Sequence, residues 1–378
     1  MKAFISVSAL LIILFLAGCL GSSKSALPPT LSFVYTIGAG DNSIHALNQT
    51  STGELVSSTL PGFATNPTPV ALALHPSKNF LYVINQTVGT VSGFNVDRTT
   101  GILSPVGTAV SPSPTCPTTA SCNPVSLGIN TAGTFLFVLN QGTVSTSASI
   151  AVFSIDLARG LLTPVGSSPF PFASLVGPNP RFLAMAPNAN FFYVANGPSG
   201  TISAFSISGS GVPVEIVGSP FAAGASIAGL AIDAKGQFLY AADNSNSKIA
   251  NFAIQANGTL AAVAGSPFTT GLGPVALALD PAGATLFCAN AAGESVSVFK
   301  STAGVLTQVA GSPFSLVSSG NPQPSFLVVD PSNTFLYVAN FGTRNISGFV
   351  IHPDGSLVAI DTSPFSQPLE PLWILMTK

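Results

Sequence analysis

The chain has 378 residues, of which 47% are hydrophobic and 6% charged, with a formal net charge of -2 at pH 7. No cluster of Lys or Arg is present to neutralise phosphates, which argues against nucleic acid as a partner. The 36 Gly and 31 Pro fit apolar strands packed on both faces and joined by many tight turns, and although the length suggests about two domains of ~150 residues, an internal repeat overrides that prior.

The amino terminus reads separately from the rest. Met1-Lys2 precedes an apolar stretch from Ala3 to Leu16, then Leu16-Ala17-Gly18-Cys19. A positive start, a short apolar region and small residues at its end predict an export signal over residues 1–18, too short to span a membrane. The Leu-Ala-Gly-Cys run resembles a bacterial lipobox. That resemblance implies lipid on Cys19, a Ser/Pro-rich tether over 19–30 and a place in the bacterial cell envelope outside the cytoplasm, with membrane contact only through the lipid. Leu20 rather than Asp after the Cys favours the outer membrane or cell surface in Gram-negative sorting.

From residue 31 to 378 one phrase recurs seven times. It opens with a Pro-led apolar run, as in Pro69-Val70-Ala71-Leu72-Ala73-Leu74, and passes through a polar turn such as Asp280-Pro281-Ala282-Gly283. An aromatic run ending in Asn follows, as in Phe335-Leu336-Tyr337-Val338-Ala339-Asn340, then a segment of the type Ile202 to Phe205. Ser-Pro-Phe closes most copies, beginning at Ser168, Ser219, Ser266, Ser312 and Ser363. Pro marks a strand end because it cannot donate to a ladder, and Phe is suited to filling the space between sheets. Repeats of roughly 40 to 50 residues made of short strands predict an all-β, seven-bladed β-propeller of four-stranded blades. The first copy lacks its Pro-led strand, while Glu370-Pro371-Leu372-Trp373-Ile374-Leu375 has no partners after it. The carboxy-terminal strand is therefore expected to enter the first blade and close the ring.

Export places Cys116 and Cys122, which share one Pro/Ser/Thr loop, in an oxidising compartment where a disulfide is expected; metal binding by the pair is the weaker alternative. Cys288 stands where other copies carry an apolar residue and reads as a small buried hydrophobe. No nucleophile elbow, phosphate loop or paired-His metal motif occurs, and no metal or cofactor is expected. His45, His75 and His352 fall on a strand and in turns, away from the convergence of the repeats, and read as structural or surface groups. Asp233, Asp280 and Asp330 read as caps of their own turns rather than calcium ligands.

In a propeller the Pro-led strands are innermost, and their starts share a face with the loops after the aromatic strands. That face is expected to gather Asn85, Asn140, Asn196, Asp243, Asn290 and Asn340 from one set of loops, and Asn66, Asn123, Asn179, Arg181, Asn321 and Glu370 from the other. Amides around a channel mouth suit a small neutral polar ligand such as a sugar, with Asn85, Asn140, Asn196, Asn290, Asn340 and Arg181 as binding residues. The alternative is that each Asn only ends its strand, because Asn tolerates turn dihedrals. Arg181, Asp243 and Glu370 are the few charges there and the only candidate catalytic groups.

The Tyr-Val-x-Asn strands, the Pro-x-x-Leu strands and the blade count resemble the lactonase-family propellers, which include 6-phosphogluconolactonase-like and Tyr-Val-Thr-Asn repeat proteins. The resemblance covers residues 31 to 378 and implies hydrolysis of a sugar lactone at the central mouth. Enzymes of that type open inner strands with Pro-Arg-His and follow the Asn with Glu. Here Pro180-Arg181-Phe182 has Phe for the His, and Gln86 and Gln141 stand where Glu would be. Those departures favour a monomeric binding or scaffolding module for a glycan or an envelope protein over the alternative, a sugar-lactone hydrolase.

Overall fold

The structure is a computed structural model that describes residues 32–38, 40–111, 123–142, 147–171, 179–187, 190–316, 320–367 and 370–377. The expected signal, the lipidated Cys19, the tether and the Cys116/Cys122 pair lie outside the described residues.

Seven antiparallel sheets follow one another along the chain. The fourth blade shows the pattern: Pro180–Met185 is innermost, then Phe191–Asn196, then Thr201–Ile207, with Pro213–Glu215 and Phe221–Ala222 outside. In six blades the outer strand is broken into two short pieces that both pair with the third strand. The Ser of Ser-Pro-Phe spans the break. Ser168, Ser219, Ser266, Ser312 and Ser363 each accept a backbone N–H from the third strand through Oγ, at 2.8 to 3.1 Å. The serine hydroxyl thereby gives that third-strand N–H an acceptor where the outer strand is interrupted.

The ring closes as the sequence implies. Pro371–Met376 pairs antiparallel with Ser32–Gly38, placing Leu375 opposite Tyr35 and Trp373 opposite Ile37. Thr377 clamps the seam: its Oγ1 accepts from Phe33 N at 3.1 Å and its backbone N–H donates to Phe33 O at 3.0 Å.

The core lies between the blades. Apolar clusters fill the interfaces, for example Ile374, Met376, Tyr337 and Phe365 between the seventh and first blades. Phe170, Phe221, Phe268, Phe314 and Phe365 of the Ser-Pro-Phe segments join these clusters. Five tyrosines at equivalent positions, all of those in the chain, latch the first, second, fourth, fifth and seventh blades each to the next. Tyr35, Tyr82, Tyr193 and Tyr337 donate to the backbone oxygens of Gly101, Gly160, Gly258 and Gly53 at 2.7 to 2.9 Å. Tyr240 bonds to Ser301 Oγ instead, and Asn251 donates to Gly304 O. Gly53 has φ +82°, and a Cβ there would run into the Phe335 ring, so the seam requires glycine at this point. Thr285 replaces the usual Phe in the sixth blade; Lys300 fills its place by donating to Thr285 Oγ1 and to Pro353 O of the seventh blade.

Candidate functional site

Each inner strand carries the same irregularity. The register against the second strand shifts after the first residue of the inner strand in all seven blades, a Pro in six and Ile227 in the fifth. The extra residue is the second of the strand: Leu372, Val70, Val125, Arg181, Ala228, Val275 and Ser325 around the ring. A bulge re-aims the side chain at that point. The third residue of each strand lies one level deeper, and there the ring is uneven. Ala71, Ser126, Gly229 and Ala276 are small, whereas Phe182, Phe326 and Trp373 are large.

These three rings meet in the channel. Phe182 of the fourth blade crosses to Trp373 of the first at 5.9 Å between centroids and 17° between planes. Trp373 stacks on Phe326 of the seventh blade at 4.0 Å and 19°, and Phe182 lies 6.4 Å from Phe326. Beside them a cavity of about 260 Å³ opens between the inner strands, walled by Val70, Val275, Leu372, Ala228 and Gly229. Ser325 is its only hydroxyl-bearing wall residue, and that Oγ lies 2.8 Å from Pro371 O and 3.2 Å from Ala339 O, so its single proton is already engaged. Sequence reasoning missed this aromatic group. The legible signal was the third position of the Pro-led strands, where Phe182, Phe326 and Trp373 break a run of small residues.

The residues expected at the mouth fare differently. Asn85, Asn140, Asn196, Asn290 and Asn340 are buried, not displayed. Their amide nitrogens donate into their own blades: Asn85 to Ser92 Oγ, Asn140 to Ser149 Oγ, Asn196 to Ser203 Oγ, Asn290 to Ser297 Oγ and Asn340 to Ser347 Oγ, at 2.8 to 3.3 Å. These nitrogens tie the second strand to the third, while Oδ1 of Asn85, Asn140 and Asn340 is buried with no hydrogen-bond partner among the described residues. The amides that do reach the surface come from the other loops. Asn179 and Asn321 are exposed, Asn66 and Asn123 half-buried, and Asn123 and Asn179 hold positive φ ahead of their prolines.

Nor do the three charged candidates converge. Asp243 is buried and receives Ala225 N, Ser226 N and Asn246 Nδ2 at 2.7 to 3.2 Å, which fixes the approach to the inner strand of its own blade. Glu370 is taken by Arg344 of the seventh blade at 2.5 Å, and hydrogen bonding, first from its own backbone and then from that guanidinium, holds its carboxyl below the usual range. Arg181 is exposed and lies over Gly197 of its own blade, outside the cavity wall. No hydrogen bond or ion pair joins any two of the three among the described residues.

One His–carboxylate pair occurs elsewhere. In the first blade Gly38 stands where five blades have Asn and one has Asp243, and His45 where four have Ser. His45 Nε2 lies 2.5 Å from Asp41 Oδ2, both side chains partly exposed. Neither lines the channel cavity. His75 is buried between Ser77 Oγ and Gly133 O, and His352 is exposed. Asp233, Asp280 and Asp330 accept the backbone N–H groups of their own turns at 2.5 to 2.7 Å. Burial pushes the Cys288 thiol up to about 12, so it stays protonated at neutral pH. No group of three or more His, Cys, Asp or Glu among the described residues is placed to hold a metal ion.

A family model described as lactonase, 7-bladed beta-propeller, matches residues 26–218 and 177–315. The chain belongs to this lactonase family. Among solved structures, the periplasmic gluconolactonase of Pseudomonas aeruginosa is similar at 19% identity, with 91% of this chain and 98% of that chain covered and a TM-score of 0.75. A candidate 6-phosphogluconolactonase of Bacteroides fragilis gives 19% identity, 91% and 98% coverage and a TM-score of 0.74. A functionally unknown protein of Desulfotomaculum acetoxidans gives 15%, 91%, 98% and 0.70. No curated protein matches the sequence. At such identities the likeness is one of fold. The family's propeller is therefore present here, and Phe182, Phe326 and Trp373 form an aromatic group in its channel.

Proposed function

We propose that this chain is an extracytoplasmic binding propeller, anchored by lipid on Cys19, whose ligand enters the central channel. The apolar, aromatic-floored cavity carries this reading. A sugar lactone placed there would find Ser325 as its only polar side chain, and each hydroxyl left without a partner costs about 1 to 3 kcal/mol. An apolar body instead gains about 25 cal/mol for each Å² removed from water. The wall therefore selects against the substrate of a sugar lactonase, and the scattered charges supply no paired acid and base beside it.

A lactone hydrolase is the second reading, supported by the family and by the His45–Asp41 pair. Purified protein assayed with glucono-δ-lactone and other sugar lactones is expected to show no hydrolysis above the solvent rate. Turnover that drops about a hundredfold in Arg181→Ala, Asp243→Asn, Glu370→Gln or His45→Gln would establish the hydrolase and identify its catalytic group.

The anchor is tested independently. Metabolic labelling with a fatty-acid analogue should mark the wild type and not Cys19→Ser. Equal labelling of both would leave the protein without its proposed attachment.

A further inference from the structure

Resting on the channel as the binding site, we infer that its ligand is a compact, planar, uncharged aromatic molecule. Three observations set this class. First, the floor consists of rings lying within 31° of one another, with Trp373 stacked on both phenylalanines. Such a floor offers a flat face to a further ring, and offset stacking favours an aromatic over an aliphatic body of equal area. Second, the wall contains no charged side chain. A carboxylate or ammonium carried inside would lose its hydration without a partner, and Arg181, the nearest cation in sequence, lies over Gly197. Third, the cavity of about 260 Å³ is of the size filled by one ring system and a short substituent, well short of an oligosaccharide.

The asymmetry of the ring makes room for this ligand. Bulky residues from the first, fourth and seventh blades face small ones from the fifth and sixth, Ala228, Gly229 and Ala276.

The protein carries its own reporter, since Trp373 is the only tryptophan in the chain. Full-length protein is titrated with p-cresol, p-toluate, cyclohexanol and glucono-δ-lactone while Trp emission and binding heat are recorded together. p-Cresol should shift the emission saturably and bind at least tenfold more tightly than the other three. Ala228→Phe, which fills the cavity from a half-buried wall position, should abolish that response while the melting temperature stays that of the wild type. If p-toluate, cyclohexanol or the lactone binds as tightly as p-cresol with the same Trp response, the ligand class is wrong and the channel remains the site. Saturable heat with unchanged Trp emission, an unaltered response in Ala228→Phe, or no binding by any probe would remove the channel itself.

Discussion

Deleting residues 371–378 should abolish the cooperative fold. The segment supplies the inner strand of the first blade, and its loss uncovers the edge of Ser32–Gly38, whose seven residues are all buried. Ile374 and Met376 leave the interface between the seventh and first blades, while Leu372, Trp373 and Leu375 leave the opposite one. At about 1.5 to 3 kcal/mol for each large apolar side chain, the lost burial is on the order of 10 kcal/mol, comparable with the whole stability of an ordinary domain. The new edge is also a template for pairing between molecules. Truncated protein is thus expected in aggregates, or as a species that binds hydrophobic dye and melts without a sharp transition. A soluble truncation with the wild-type melting temperature would show that the seam does not hold the ring.

The architecture was legible because a repeat states each local rule several times. One Pro-led run is ambiguous, but six in phase with the aromatic runs leave a single way to satisfy the strand edges. Even the closure was readable, since a strand without partners at one end matched a blade lacking a strand at the other. The site was less legible for a physical reason. Asn85 and Asn340 end strands next to the mouth, and the sequence alone does not tell whether an amide faces solvent or the neighbouring strand. The deciding partners, Ser92 and Ser347, sit seven residues further on and look like unremarkable strand positions. The channel floor was harder still, because Phe182, Phe326 and Trp373 are far apart in sequence and meet only across the ring axis. Ordinary core aromatics have the same composition, so only the third-position contrast with Ala71, Gly229 and Ala276 distinguished them.

Raising the pH should unfold the ring through its tyrosines. Burial, first among the causes, pushes the hydroxyls of Tyr35, Tyr82, Tyr193, Tyr240 and Tyr337 well above their ordinary value. The carboxylates of Asp97, Asp156, Asp233 and Asp330 push Tyr35, Tyr82, Tyr240 and Tyr337 further the same way. In the unfolded chain these groups ionise near about pH 10. Above that pH the folded state holds protons that the unfolded state has released, so stability declines as pH rises towards the folded values. Below it the tyrosines leave stability independent of pH. Each group contributes up to about 1.4 kcal/mol per pH unit, so five together remove several kcal/mol per unit, enough to exhaust an ordinary stability before about pH 12. Tyrosinate absorbance should therefore appear in one cooperative step coincident with loss of the β-sheet circular dichroism. Tyr337→Phe separates the two roles of the latch. It should cost about 2 to 3 kcal/mol at neutral pH by leaving Gly53 O without its donor and buried Gln49 Nε2 without its acceptor, yet make the alkaline transition less steep because one titrating group is gone. Independent titration of all five tyrosines near about pH 10 with the sheet intact would mean that the hydroxyls are not sealed between the blades.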